Sequence, residues 1–250
     1  MPFDSYEREG LLGEGTFGKV YRCRERATGR KVAVKRLYKS QSSKEGAELP
    51  MLREIMLLHE LKHDNVIDLA EVYAHDGSIH LVFEFCSTDL EAIINDKSTR
   101  LDASRIKGYM QQTLRGVAAI HASWVLHRDL KPGNLFVSPA GVVKVGDFGL
   151  ARFYGSPDRR FTGQVVTRWY RAPELLFGAK FYGTAIDMWS LGCIFAELLL
   201  RVPYLAGTHD LDQLQRIFTA LGTPTEENWP GVSALPYYVS FPEVSETPMR

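Results

Sequence analysis

Cysteine is scarce in this chain. Three are present in 250 residues, Cys23, Cys86 and Cys193. They are odd in number and far apart, so neither a disulfide framework nor a metal spacing is visible, which fits a reducing compartment. Charge of one sign is also lacking. Thirty basic side chains meet thirty acidic ones, and net charge gives no argument for a nucleic-acid or polyanion partner. Long apolar runs are missing as well. The longest lies near Leu191–Leu200, is interrupted by Glu197 and is too short to cross a bilayer. The opening MPFDSYEREG carries no apolar signal-peptide core. No internal repeat or low-complexity linker appears. The expectation is an intracellular protein with no membrane contact and no direct nucleic-acid partner. What remains, 45% hydrophobic and 24% charged residues, is ordinary globular composition, sufficient for one large or two small domains.

Residues 6–37 read as strands. Glycines break LLGEGTFGKVYRCRER, and ATGR (27–30) is a turn before KVAVKRL, where Val32 and Val34 take one face and Ala33 and Lys35 the other. Residues 38–48 read as loop. Pro50 suits a first helical turn, after which Met51, Leu52, Ile55, Leu58 and Leu61 recur at helical spacing. HLVFEF (80–85) reads as a buried strand. Helices follow. Ile106, Tyr109, Met110, Thr113, Leu114, Val117 and Ile120 make one stripe, with Asp102 as N-cap. Thr184–Leu200 is a second helix. Leu211, Leu214, Ile217, Phe218 and Leu221 make a third, ended by Gly222. A strand-rich part thus precedes a larger helical part, with the change near residues 84–90.

Gly13-Glu14-Gly15-Thr16-Phe17-Gly18 is a GxGxxG. On this stretch alone a dinucleotide site, a hairpin folded over nucleotide phosphates and a plain turn are all open. A dinucleotide site needs a helix next and an acid about 20 residues on. Here KVYRCRER follows, and the acid window holds Lys35, Arg36 and Lys39. Lys35 ends VAVK. Glu54 shares the helix face of Met51 and Leu58, where an acid needs a cation or a wet cleft, so Lys35 is its expected partner. The alternative is a solvated Glu54 at the stripe's margin.

VLHRDLKPGN (125–134) sets charge between apolar flanks. Asp147-Phe148-Gly149 follows, then Ala172-Pro173-Glu174. Phosphoryl transfer needs metal against phosphate charge, a cation on the moving group and an acceptor for the hydroxyl proton. Asp147 and Asn134 offer oxygen ligands for Mg2+. Asp129 suits the hydroxyl and Lys131 the γ-phosphate of ATP. Each tripeptide is common, but their joint order matches the protein-kinase signature.

On these motifs the sequence resembles eukaryotic protein kinases from Tyr6 to about Phe241. The implied fold is α+β and bilobal: a small antiparallel β-rich N-lobe with one helix (1–86) and a larger, mainly helical, incomplete C-lobe (87–250). VVTRWYRAPELL (165–176) and Leu52-Arg53-Glu54-Ile55 resemble cyclin-dependent kinases, and HRDLKP points to serine/threonine specificity. Thr162-Gly163-Gln164 lacks the Thr-x-Tyr of mitogen-activated kinases. FYGSPDRRFTGQ, FAELLLRVP, DLDQLQRIF and LGTPTEENWPG resemble the CDK-activating kinases carried by transcription factor TFIIH. GAELPMLREI (46–55) departs from that group's cyclin-binding sequence upstream of Leu52.

The resemblance implies ATP and Mg2+ as cofactors and proline-directed protein substrates, among them RNA polymerase II C-terminal repeats. It implies a cyclin partner of the cyclin H type, a RING-finger assembly factor and TFIIH, and a nuclear or cytoplasmic location. The glycine-loop residues Leu12, Gly13, Glu14, Gly15, Thr16, Phe17, Gly18, Lys19 and Val20 would meet the nucleotide. So would Ala33, Lys35, the gatekeeper Phe83, then Glu84, Phe85, Cys86, Asp89 and Leu135, together with Lys131, Asn134 and Asp147. Asp187 would brace the catalytic loop, and Thr167 would bridge Asp129 and Lys131. Thr162 is the expected activating phosphosite, read by Arg53, Arg128 and Arg152, with Ser156 before Pro157 a second. Phe17 stands where many relatives carry an inhibitory tyrosine. Gly133 and Gly146 are looser residues than such a site leads one to expect. PEVSETPMR, after Phe241, has no helical stripe. The resulting expectation is a truncated chain of reduced stability, missing the arginine that would pair Glu174, with a weakly active or inactive cyclin-binding scaffold as the alternative to an enzyme.

Overall fold

The computed structural model describes residues 2–15, 18–38, 55–154 and 167–245. The chain divides into two compact units that are not consecutive stretches. The first is Met1–Leu90, Gln111–Ser123 and Leu135–Gly149; the second is Glu91–Met110, Trp124–Asn134 and Leu150–Arg250.

The first unit is built on a five-stranded antiparallel sheet. Its strands are β1 (Tyr6–Gly15), β2 (Gly18–Glu25), β3 (Lys31–Leu37), β4 (Leu69–His75) and β5 (Ser78–Glu84), in the order β1-β2-β3-β5-β4. The alternation expected in KVAVKRL holds: Val32 and Val34 are buried with Tyr21, Cys23, Tyr73 and Val82. Asp76 and Gly77 both take positive φ between β4 and β5, the two-residue turn whose twist suits a hairpin. Residues 55–60 are helical (α1) and bury Leu57 and Leu58. A second sheet joins β6 (Thr88–Asp89), β8 (Leu135–Val137) and β9 (Val143–Val145) in the order β6-β8-β9. Asn65 fastens it: its Nδ2 donates to the Val143 carbonyl at 3.0 Å and its carbonyl accepts the Val145 N–H at 2.9 Å. Gly116 lies under that carbonyl, where a Cβ would come within 2.4 Å of the oxygen.

The second unit is mainly helical. Its elements include α2 (Leu90–Asn95), α4 (Pro173–Leu176), α5 (Ala185–Leu200) and α6 (Asp210–Leu221). β7 (Val125–Leu126) pairs with β10 (Arg152–Phe153). The long helix α3 (Ala103–Ala122) begins in this unit and ends in the first. Asp102 caps it as the sequence predicts, taking the Arg105 N–H at 2.8 Å. In α6, Leu214, Ile217 and Phe218 are buried, whereas Leu211 and Leu221 at the ends of the predicted stripe stay exposed. After α5 the chain turns through Arg201 at φ +61°. Its guanidinium donates to the carbonyls of Ile93, Ile94, Asp96 and Thr99, closing orphan acceptors in the last turn of α2 and just beyond it.

Candidate active site

The loop between β7 and β8 lies in the second unit. Val125 and Leu126 are fully buried ahead of it, and so are most of its polar groups: His127, Arg128, Asp129 and Asn134 are all under 9% exposed. Buried polar groups must be hydrogen-bonded, and here each bond also fixes geometry. Asp187, in the first turn of α5, accepts the N–H of His127 at 3.0 Å and of Arg128 at 2.9 Å. These bonds hold Arg128 at φ +66°, a conformation a bulky residue adopts at a cost. The brace expected of Asp187 is what its carboxylate does.

Asp129 is the hub. Its Oδ1 accepts the Thr167 N–H at 3.1 Å and the Thr167 hydroxyl at 3.2 Å. Its Oδ2 accepts Lys131 Nζ at 3.2 Å and Asn134 Nδ2 at 3.1 Å. Lys131 Nζ also reaches Thr167 Oγ1 at 3.4 Å, so Thr167 contacts both residues it was expected to bridge. Asn134 Nδ2 donates again to the Asp129 carbonyl at 2.7 Å. With its nitrogen engaged, Asn134 keeps Oδ1 as a hard-oxygen donor. Three residues of the sequence motif and Thr167 are therefore one hydrogen-bonded group. It combines a fixed carboxylate, able to take a proton from a hydroxyl, with an ammonium beside it.

Arg128, expected to bind phosphate, has already committed Nε to the Leu150 carbonyl at 2.7 Å and Nη1 to the Tyr182 hydroxyl at 2.9 Å. Arg152 Nη1 meets the Ala151 carbonyl at 2.8 Å. Gly133 has a use that reasoning on entropy missed. A Cβ there would lie 2.6 Å from Glu91 Oε2, so the carboxylate folds over the bare backbone.

The first unit holds the other group. β1 and β2 form the glycine hairpin, with Gly13 opposite Val20, Glu14 opposite Lys19 and Gly15 opposite Gly18. A strand, not a helix, follows the third glycine, which removes the dinucleotide reading. Gly18 is required by closeness: a Cβ would sit 2.2 Å from the Arg36 carbonyl oxygen. Ala33 and Phe83 are partners in the β3–β5 ladder. Lys35 pairs with Asp147 at 3.5 Å, a partner the sequence reading did not assign it. Asp147 takes φ +60°. Glu84 spends its side chain on the Asp68 N–H at 2.9 Å and on Lys144 at 2.9 Å. Burial pushes the Cys86 thiol up to about 12, so it carries its proton at neutral pH. Asp89 pairs with Phe136 across β6 and β8, and Leu135 is fully buried. Gly146 touches the Phe136 ring, 2.7 Å from a would-be Cβ, which accounts for the second unexpected glycine. Thr16, Phe17, Arg53, Glu54, Ser156 and Thr162 lie outside the described residues.

One buried pair escaped the sequence reading. The Tyr170 hydroxyl donates to Glu197 Oε2 at 2.7 Å; burial raises both ionisations, and the shared hydrogen bond raises that of Tyr170 further while it opposes the rise at Glu197. The signal was there: Glu197 interrupts the apolar run of α5. Glu174 is also raised by burial, and among the described residues no ion pair joins it. No group of three or more His, Cys, Asp or Glu among the described residues is placed to hold a metal. A Mg2+ ion that arrives on ATP needs only one or two protein oxygens besides phosphate and water, and Asp147 and Asn134 are of that kind.

Comparison with known proteins agrees with this chemistry. The protein kinase domain family matches residues 6–243. Cyclin-dependent kinase 7 of Dictyostelium discoideum is 52% identical over 99% of this chain and 69% of its own length. The Xenopus laevis protein of the same name is 54% identical over 98% of the chain and 70% of its own. Serine/threonine-protein kinase KIN28 of Saccharomyces cerevisiae is 51% identical over 93% and 76%. A solved structure of the CAK complex from Chaetomium thermophilum bound to ATP-gamma-S is similar with a TM-score of 0.91 and 42% identity, over 99% of this chain and 79% of that one. With the signature motifs in order and the Asp129 network assembled as phosphoryl transfer requires, the chain belongs to the protein kinase family, among the cyclin-dependent serine/threonine kinases.

Proposed function

We propose that this kinase transfers the γ-phosphoryl group of ATP to Ser or Thr followed by Pro, acting as a CDK-activating and RNA polymerase II C-terminal-repeat kinase. The Asp129–Lys131–Asn134–Thr167 network carries the reading. Asp129 takes the hydrogen bond, then the proton, of the attacking hydroxyl. Lys131 screens the charge that builds on the moving group, and Thr167 keeps the two in register. By the resemblance, Asn134 and Asp147 would each offer an oxygen to Mg2+, which would supply positive charge against the negative β- and γ-phosphates. Lys35 contacts the α- and β-phosphates. Leu12, Val20, Ala33 and Leu135 enclose the adenine. Glu84 and Cys86 meet its edge through backbone groups, beside Phe83, with Asp89 near the ribose.

The partner is a cyclin, of the cyclin H type, which the residues around Leu52-Arg53-Glu54-Ile55 would engage. A RING-finger assembly factor and TFIIH complete the set, and the place of action is inside the cell, in the nucleus and also the cytoplasm. Names and similarity of the relatives support this reading, as does the complex in which the similar structure was solved. The test is labelling from Mg2+–ATP, with and without cyclin H, of C-terminal-repeat peptides and of a CDK activation loop, each with Ser/Thr-Pro and Ser/Thr-Ala versions. Cyclin-stimulated labelling of the proline versions is expected. Equal labelling of the alanine versions would remove the proline-directed assignment.

A further inference from the structure

The glycine hairpin is held near its tip by a residue that is not part of it. Glu14 and Lys19 face each other in register across β1 and β2, and their charges meet at 3.2 Å. Glu14 also accepts a hydrogen bond from the hydroxyl of Tyr38. Tyr38 directly follows Leu37, the last residue of β3, and Leu37 is paired with Gly18 on β2. Tyr38 therefore reaches from the end of β3, past β2, to β1. Gly18 makes the crossing short, because β2 without a Cβ at this point lies against the Arg36 carbonyl. Tyr38 is 48% exposed, so burial of its ring does not explain its position; the hydroxyl contact does. The contact marks both groups electrostatically: the bond to Glu14 holds the Tyr38 phenol above its ordinary range, and Tyr38, then Lys19, hold the Glu14 carboxyl below its own.

A two-stranded hairpin joined to a sheet along one side only has a free outer strand, and that strand sets how the loop lies over a ligand. We propose that Tyr38 is a positioning residue for ATP, a latch that ties the outer strand of the glycine hairpin to the end of β3 through Glu14. The inference rests on the reading that this hairpin covers the nucleotide. A latched hairpin has less freedom to lose when ATP binds, so the latch acts on nucleotide affinity. It touches no protein substrate and no reacting atom.

The test is steady-state kinetics of the full chain with its cyclin, varying ATP and a Ser-Pro peptide separately, in Tyr38→Phe, Glu14→Ala, the double variant and Val20→Ala. Tyr38→Phe keeps the ring and removes the hydroxyl. It is expected to raise KM for ATP about two- to tenfold, the range of one net hydrogen bond, with kcat and the peptide KM unchanged. Adding Tyr38→Phe to Glu14→Ala should raise KM for ATP no further. An unchanged KM in Tyr38→Phe beside a raised KM in Val20→Ala would overturn the latch and leave the hairpin reading standing. Unchanged values in both would overturn the two together. A rise from Tyr38→Phe that persists undiminished in the Glu14→Ala background would overturn the coupling through Glu14.

Discussion

Asp129 and Glu14 are both acids held by neighbours, and they are held differently. Asp129 is 8% exposed and accepts from Thr167 twice, from Lys131 and from Asn134. Its loop is anchored from behind by Asp187, 1% exposed, through two backbone N–H groups. Glu14 has a half-exposed side chain and is held by Lys19 and Tyr38, themselves open to water. The first arrangement fixes atoms through several buried hydrogen bonds and fails abruptly, since each lost partner strands a buried group. The second is a bias on a movable strand, screened by solvent and adjustable in small steps. Chemistry on a phosphoryl group needs the first, whereas nucleotide entry and exit need the second.

The comparison breaks most visibly within the acids themselves. Asp129→Asn should lower kcat by about 10²–10⁴ while ATP affinity holds. Asp147→Asn should weaken Mg2+–ATP binding first. Parallel loss of nucleotide affinity in both, measured by fluorescent-nucleotide titration, would void the separation of roles. Next comes the anchor. Asp187→Ala leaves two buried N–H groups without an acceptor, each costing about 1–3 kcal/mol. Urea unfolding should record that loss together with a fall in kcat, and Asp187→Asn should recover part of both. A variant as stable as the parent would show that water or another group satisfies the loop.

A smaller effect is expected at Thr162. Thr162→Ala should cost about tenfold in cyclin-bound activity through lost phosphate–arginine contacts, and phosphatase treatment should lower the parent to the variant's level. Activity indifferent to both would end the assignment. The least effect concerns Glu197. Burial raises its pKa, so the folded chain binds this proton more tightly than the unfolded one. Stability is therefore full below the ordinary carboxylate range of about 4.3 and declines as pH rises through the raised value. Glu197→Gln keeps an acceptor for Tyr170 and removes the charge. Its melting temperature should fall less between pH 5 and 7 than the parent's. Parallel pH curves would show that Glu197 does not titrate differently on folding.

Local pattern carried much of the fold. The alternation of Val32 and Val34, the cap at Asp102 and the stripe of α3, apart from the exposed Leu114, were legible because each depends on neighbours within one or two turns. The Asp76-Gly77 pair was equally local and would have placed the β4–β5 turn had it been read as a hairpin signal. What periodicity could not show were approaches between residues remote in sequence. Gly146 against Phe136 and Gly18 against Arg36 are glycines set by contact, not by turn geometry, whereas Gly133 meets only the flexible end of Glu91. Leu211 and Leu221 fit the stripe of α6 yet stay exposed, because a stripe fixes a face but not how far along the helix it is covered. At the site, motif order named Asp129, Lys131 and Asn134 and the resemblance added Thr167, and the structure joins the four by hydrogen bonds. The Lys35–Asp147 and Tyr170–Glu197 pairs were missed because nothing in either segment names its partner.

Arg201 bears on how the chain reaches this state. Its four carbonyl acceptors lie more than 100 residues back along the chain. A contact of that separation forms only after the intervening segments have collapsed, since the entropy of closing so long a loop must be met before any of the four bonds exists. The fan of bonds is thus expected to form late in folding and to contribute mainly to the barrier against unfolding. Arg201→Lys, which keeps the charge and loses the planar fork, should speed unfolding in urea and leave the refolding rate nearly as it was.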